Sequence, residues 1–177
     1  MQEYKIIFAG SMGAGKTTSI RALSDVDVVR GDVDNTDTKT HGKLLTTVGI
    51  DYGQVVLGND TKIGLYGTPG QERFELVWRI VTEGALGAII LIDGSSAKAK
   101  DELSYYVRYF NEHNMAHIVV GITHTDLPDA HLTVSQGLEI LQAQNLLFPV
   151  FEIDARQRED VLLLVESLIA SIEAEIN

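Results

Sequence analysis

Gly10-Ser11-Met12-Gly13-Ala14-Gly15-Lys16-Thr17 reads G-x-x-x-x-G-K-[ST]. Lys5-Ile6-Ile7-Phe8-Ala9 precedes it as a buried strand, and residues 18–23 continue with a helical pattern. Strand, glycine-rich loop and helix in that order are the context a phosphate-binding P-loop requires. The glycines let backbone N–H groups turn inward, and the helix N-terminus adds its positive end. Gly13, Ala14, Gly15, Lys16, Thr17 and Thr18 are therefore the candidate phosphate binders. Lys16 can reach β/γ oxygens as a point charge, and the Thr17 hydroxyl suits Mg²⁺.

Outward from this loop, short apolar runs alternate with helical patterns. The runs are residues 5–9, 54–57, 62–66, 87–92, 117–122 and 149–153. Residues 73–83, 97–112, 133–145 and 158–175 read as helices, the last with Val161, Leu164, Leu168 and Ile172 on one face. Thr133 and Gln136 form a candidate capping box. Strands alternating with helices predict an α/β fold with a mostly parallel sheet covered on both faces. Gly58-Asn59-Asp60 between 50–57 and 61–66 is a hairpin signal, so one edge strand is expected to run antiparallel. If that hairpin turns about Asn59, Asp51 faces Gly67 across it. Residues 24–45 mix Asp25, Asp27, Asp32, Asp34 and Asp37 with three threonines and two glycines and read as a loop. No internal repeat or second domain emerges, so residues 1–177 are expected to form one domain.

Bulk properties narrow the function classes. A hydrophobic content of 45% is ordinary for a globular chain of 177 residues. Cysteine is absent, which excludes a disulfide framework and a Cys–zinc site. No apolar run approaches the ~18 residues of a membrane span. Residues 1–4 do not resemble a leader, and residue 2 is Gln, so a cytoplasmic protein without a lipid anchor is expected. A net charge of −11 opposes nucleic acid as a partner, but not a nucleotide, whose phosphates are held by local N–H groups.

Two further blocks carry a family resemblance. Thr46-Thr47-Val48-Gly49-Ile50-Asp51-Tyr52 resembles switch I of the Ras-like small GTPases, in particular the Rab form T-I-G-V-D-F. Tyr66-Gly67-Thr68-Pro69-Gly70-Gln71-Glu72-Arg73-Phe74 resembles their switch II, W-D-T-A-G-Q-E-R-F. The spacing of all three blocks agrees, and the likeness runs from Lys5 to the last helix. It implies a P-loop NTPase of the small-GTPase fold: a six-stranded sheet with one antiparallel edge strand, five helices, Mg²⁺, and a GTP/GDP switch. In that setting Thr47 meets Mg²⁺ and the γ-phosphate, and Gly70 donates an N–H to the γ-phosphate from a backbone pose suited to glycine. Both contacts vanish on hydrolysis and release the loops. Gln71, Lys16 and Thr47 are the catalytic candidates, with Gln71 orienting the attacking water. The metal candidates are Thr17, Thr47 and, in place of a missing acid, Asp51.

The chain departs from the family pattern at three places. The Asp that opens switch II is Gly67. The guanine motif N-K-x-D stands as Thr123-His124-Thr125-Asp126. Asp126 keeps the carboxylate that takes two N–H bonds from guanine, while His124 is either a base-covering ring or an ordinary loop histidine. Met12 occupies a position where Ras has glycine. Asp154-Ala155-Arg156 falls where the family has S-A-K, which adds Ala155 and Arg156 to Thr123, His124 and Asp126 as base binders. These departures resemble the bacterial Mgl-type and conservon-type members, and that likeness suggests a Roadblock/longin-type protein partner.

Other residues read structurally. Phe74 and Trp78 read as core or partner-facing, Tyr105, Tyr106 and Tyr109 as helix-surface packing, and Asp93 as a loop-start hydrogen bonder. The histidines lack metal-ligand spacing. No arginine lies between Gly31 and Glu72, so switch I offers no arginine finger in cis. The reading is a small GTPase with slow Mg²⁺-dependent hydrolysis. The alternative is a non-catalytic scaffold that binds nucleotide without turnover. A P-loop kinase would need an acceptor domain and an arginine-rich lid, and neither is found.

Overall fold

The computed structural model describes residues 3–34, 47–58, 61–71, 75–128 and 130–176, with the backbone alone for 32–34, 47, 48 and 176. In chain order the elements are β1 (Glu3–Ala9), α1 (Lys16–Leu23), β2 (Val29–Asp34), β3 (Thr47–Leu57), β4 (Thr61–Gly67), α2 (Glu75–Thr82), β5 (Gly87–Asp93), α3 (Ala99–Glu112), β6 (Ile118–Thr123), α4 (Val134–Ala143), β7 (Val150–Glu152) and α5 (Arg158–Ile176). The strands form one sheet in the order β2-β3-β4-β1-β5-β6-β7.

Strand side chains alternate between two apolar layers. Ile7 and Ala9 join Val77, Trp78, Leu103 and Val107 of α2 and α3 on one face. Ile6 and Phe8 join Ile20 and Leu23 of α1 and Leu164 and Leu168 of α5 on the other. Helices on both sides explain why β5 and β6 read as continuous apolar runs: residues 88–92 and 118–122 are buried throughout. The Thr133–Gln136 capping box opens α4 as expected. No described helix is long and apolar enough to cross a membrane.

The sheet has seven strands, not the six that the resemblance implied, because residues 29–34 of the expected loop form β2. β2 pairs antiparallel with β3 from Val29↔Tyr52 to Asp34↔Thr47, and β3 pairs antiparallel with β4. An outermost strand is held by a backbone ladder on one side and need not bury a face. Val29, Arg30 and Gly31 are accordingly exposed, and no apolar alternation announced them. The antiparallel pairings are confined to this end of the sheet. Residues 35–46 lie outside the described residues.

The tyrosines of α3 also depart from expectation. Tyr106 and Tyr109 are buried, with ring centroids 5.3 and 5.1 Å from Trp78. Their hydroxyls end on carbonyl acceptors, Tyr106 on Gly70 at 3.4 Å and Tyr109 on Glu75 at 3.2 Å. A phenol whose polar tip is satisfied can bury its ring, so helix-surface packing holds only for half-buried Tyr105. Trp78 is fully buried, while Phe74 lies outside the described residues.

Candidate functional site

The loops after β1, β4, β6 and β7 converge on one cleft of about 1080 Å³. Ligands of open α/β sheets bind at such C-terminal strand ends. The predicted site residues Gly13, Gly15, Lys16, Thr17, Thr18, Asp51, Gly70, Gln71, Thr123, His124, Asp126, Ala155 and Arg156 all line it. Ala14 is buried beneath it, with its N–H on the Ser11 carbonyl at 3.2 Å. The Thr47 side chain lies outside the described residues.

The P-loop is shaped for an anion. Gly15 caps α1 with φ 102°, a left-handed conformation that favours glycine. The first amides of α1 lack carbonyl partners one turn back. The Lys16 ammonium rests on the carbonyls of Gly10 and Ser11 at 2.7 and 2.8 Å. Burial lowers its pKa to about 8, against the opposing pull of Asp51 and Glu102. A half-buried cation whose hydrogen bonds go to carbonyls gains from a phosphate brought beside it. Ser11 donates to Glu102 at 2.9 Å, which ties the loop to α3.

Switch II packs directly on the P-loop. A Cβ on Gly70 would lie 2.4 Å from the Met12 nitrogen. Glycine is required here by close approach of two backbones, and Gly70 is not among the positive-φ residues. Pro69 accepts from Trp78 Nε1 at 2.8 Å, which links switch II to the aromatic core. Met12 is 73% exposed at the cleft mouth.

The donor set fits Mg²⁺ held mainly by hydroxyl and phosphate oxygens. No group of three or more His, Cys, Asp or Glu able to hold a metal occurs among the described residues. Thr17 Oγ1 instead donates to Asp51 Oδ2, giving hard oxygens beside the lysine. Mg²⁺ is commonly bound through one or two carboxylates plus substrate phosphates. Asp51 does face Gly67.

The base side rests on Thr123, which is 1% exposed. Its Oγ1 lies 2.9 Å from the Ala14 carbonyl and 2.9 Å from His124 Nδ1. A hydroxyl has one hydrogen; donating it to Ala14 makes His124 Nδ1 the donor in the second contact. His124 has φ 56°, with Nδ1 3.5 Å from Asp93 Oδ1. Asp93 also accepts from the Ser95 amide at 2.9 Å, as a loop-start residue should. Arg156 pairs with Asp154 through Nη2 at 2.7 Å and lies 3.9 Å from Asp126. Ala155 is buried, and its Cβ would be 3.0 Å from a Cβ on Gly15, so the base loop touches the P-loop.

Sequence reasoning missed Arg30 and Glu102. Arg30 lines the cleft from β2, whose polar sequence carries no strand alternation. Glu102 sits in a helical pattern with no motif to mark it.

A P-loop, two glycine-bearing switch segments and an acidic base loop around one cleft define a nucleoside-triphosphate-binding switch protein. The sequence model of the Ras family matches residues 5–174, and the chain belongs to that family. It is 26% identical over 179 residues to Ras-related protein RabC of Dictyostelium discoideum, covering 97% of this chain and 84% of that one. It is 26% identical over 175 residues to Ras-related protein Rab-18 of Lymnaea stagnalis, covering 95% and 79%. It is also 34% identical over 100 residues to an uncharacterized protein of Methanocaldococcus jannaschii, covering 56% and 57%. As a Ras-family small GTPase it binds GTP and GDP with Mg²⁺, hydrolyses GTP to GDP, and works as a switch.

Proposed function

We propose that the switch is worked by the residues gathered in this cleft. The carrying observation is that Lys16, Gln71 and Asp126, far apart in sequence, line the same cavity. The amides of residues 13–18 and the Lys16 ammonium hold the phosphates. Thr17 and Thr47 offer hydroxyls to Mg²⁺, which when bound neutralises charge developing on the phosphate oxygens. Gln71 orients a water for in-line attack on the γ-phosphorus; the bond to the β–γ bridging oxygen breaks, releasing phosphate and leaving GDP. Positioning and electrostatics supply the rate, as expected for phosphoryl transfer. Gly70 and Thr47 report the γ-phosphate to the loops that meet effectors.

Asp126 reads guanine through two N–H groups, Ala155 offers its amide to O6, and Thr123 and His124 hold the base loop beside the P-loop. The departures at Gly67 and Thr123 support a bacterial, Mgl- or conservon-like branch. A Roadblock/longin-type partner and a cytoplasmic location belong to the same reading. The test is nucleotide content and turnover of the purified protein with and without Mg²⁺. Co-purified GDP and Mg²⁺-dependent phosphate release support the reading; a protein that retains nucleotide but never releases phosphate overturns its catalytic half.

A further inference from the structure

We infer that Asp51 supplies, from β3, the carboxylate that holds Mg²⁺-bound water in this protein, replacing the acid that β4 lacks. The inference rests on the cleft being the GTP·Mg²⁺ site. Three observations carry it. Asp51 and Gly67 are directly opposed in the β3–β4 ladder, and opposed residues project from the same face of a sheet. A Cβ built on Gly67 would lie 3.3 Å from Asp51 Cβ and 3.7 Å from Oδ2, so the Asp51 carboxylate already occupies the space beside the missing side chain. Thr17 Oγ1 donates to Asp51 Oδ2, so the carboxylate reaches the hydroxyl proposed as a metal ligand.

Asp51 is not an ordinary solvated edge residue. β3 lies inside the sheet, with β2 on its other side, and Asp51 is half-buried between Arg30 and Gly67. A carboxylate next to a hydroxyl and a phosphate site is an acceptor with lone pairs to spare, which suits the protons of water bound to a divalent cation. Gly67 is then a relocated function rather than a lost one: the acid has moved one strand outward.

The competing account is that Asp51 only ties α1 to β3 through Thr17. Asparagine separates the two, since its amide oxygen still accepts from Thr17 but carries no charge. The experiment follows release of a fluorescent GDP analogue across a Mg²⁺ titration, with an EDTA reference, for the wild type, Asp51→Asn and Asp51→Ala; thermal melts check folding. Partners of metal-bound groups typically contribute 10–100-fold to metal affinity. The Mg²⁺ concentration at half effect is expected to rise at least ~10-fold in both variants. A rise in Asp51→Ala but none in Asp51→Asn, or none in either, overturns the inference. A wild type that fails to hold GDP under any condition instead overturns the reading of the cleft, and the inference with it.

Discussion

Thr123 spans 109 residues of sequence to donate its hydroxyl hydrogen to the Ala14 carbonyl at 2.9 Å. This bond clips the base loop to the P-loop where the family pattern has asparagine. Thr123→Val keeps shape and removes the hydroxyl, leaving a buried carbonyl short of a partner. The expected loss is about 1–3 kcal/mol of stability, with a further fall in GDP affinity because the two halves of the cleft are no longer tied. Denaturant unfolding and calorimetric GDP titration check it; unchanged values in both refute the clip.

Guanine selectivity is expected to reside in Asp126. Adenine lacks the paired N–H donors that the carboxylate requires, and an unpaired polar group in the bound complex costs about 1–3 kcal/mol. Competition binding should rank GDP well above ADP, and Asp126→Asn should shift preference toward the xanthine nucleotide. Equal affinity for GDP and ADP would sink the assignment.

Hydrolysis by the isolated protein is expected to be slow. A partner-supplied arginine finger contributes roughly 10³–10⁵ in rate to this class of reaction. Two described arginines line the cleft, Arg156 on the base loop and Arg30 on β2, so Arg30 is the cis candidate from the sheet edge beside switch I. Single-turnover assays should show slow phosphate release, lowered further by Gln71→Leu. Fast release, unmoved by Gln71→Leu, contradicts the role given to Gln71; fast release abolished by Arg30→Ala would make Arg30 the finger.

Trp78 is the single tryptophan, and its Nε1 donates to Pro69 of switch II at 2.8 Å. Rearrangement of switch II on exchange of GDP for a GTP analogue should therefore change its emission. Trp78→Ala should destabilise by ~3–5 kcal/mol, the usual range for emptying an aromatic core site. Identical spectra in the two nucleotide states would show that switch II moves without disturbing this bond.

Arg156 holds the Asp154 carboxyl down to about 2, chiefly through its side-chain hydrogen bond and then through its backbone amide. A carboxylate with a depressed folded-state pKa adds stability that is present above the unfolded value and lost as pH falls toward about 2. NMR titration should place the Asp154 midpoint at the bottom of the carboxylate range. Arg156→Ala should return it toward the ordinary ~3.9; a midpoint that stays low would assign the effect to the backbone.

Much of this protein was legible in one dimension. The P-loop and the apolar runs of β5 and β6 impose local demands, a glycine at a turn or a continuous buried face, that only certain residues meet at fixed spacing. Even the pairing of Asp51 with Gly67 followed from the hairpin signal, because strand register is counted residue by residue. Three features were decided only by the tertiary structure. β2 draws its order from the β3 ladder beside it and leaves Val29, Arg30 and Gly31 exposed, so its polar sequence resembles a loop. Tyr106 and Tyr109 are core residues because Trp78 and nearby carbonyls meet them from other elements. Asp51 reaches Thr17 because α1 packs against β3 and β4, and a contact between elements has no period along the chain from which it could be read.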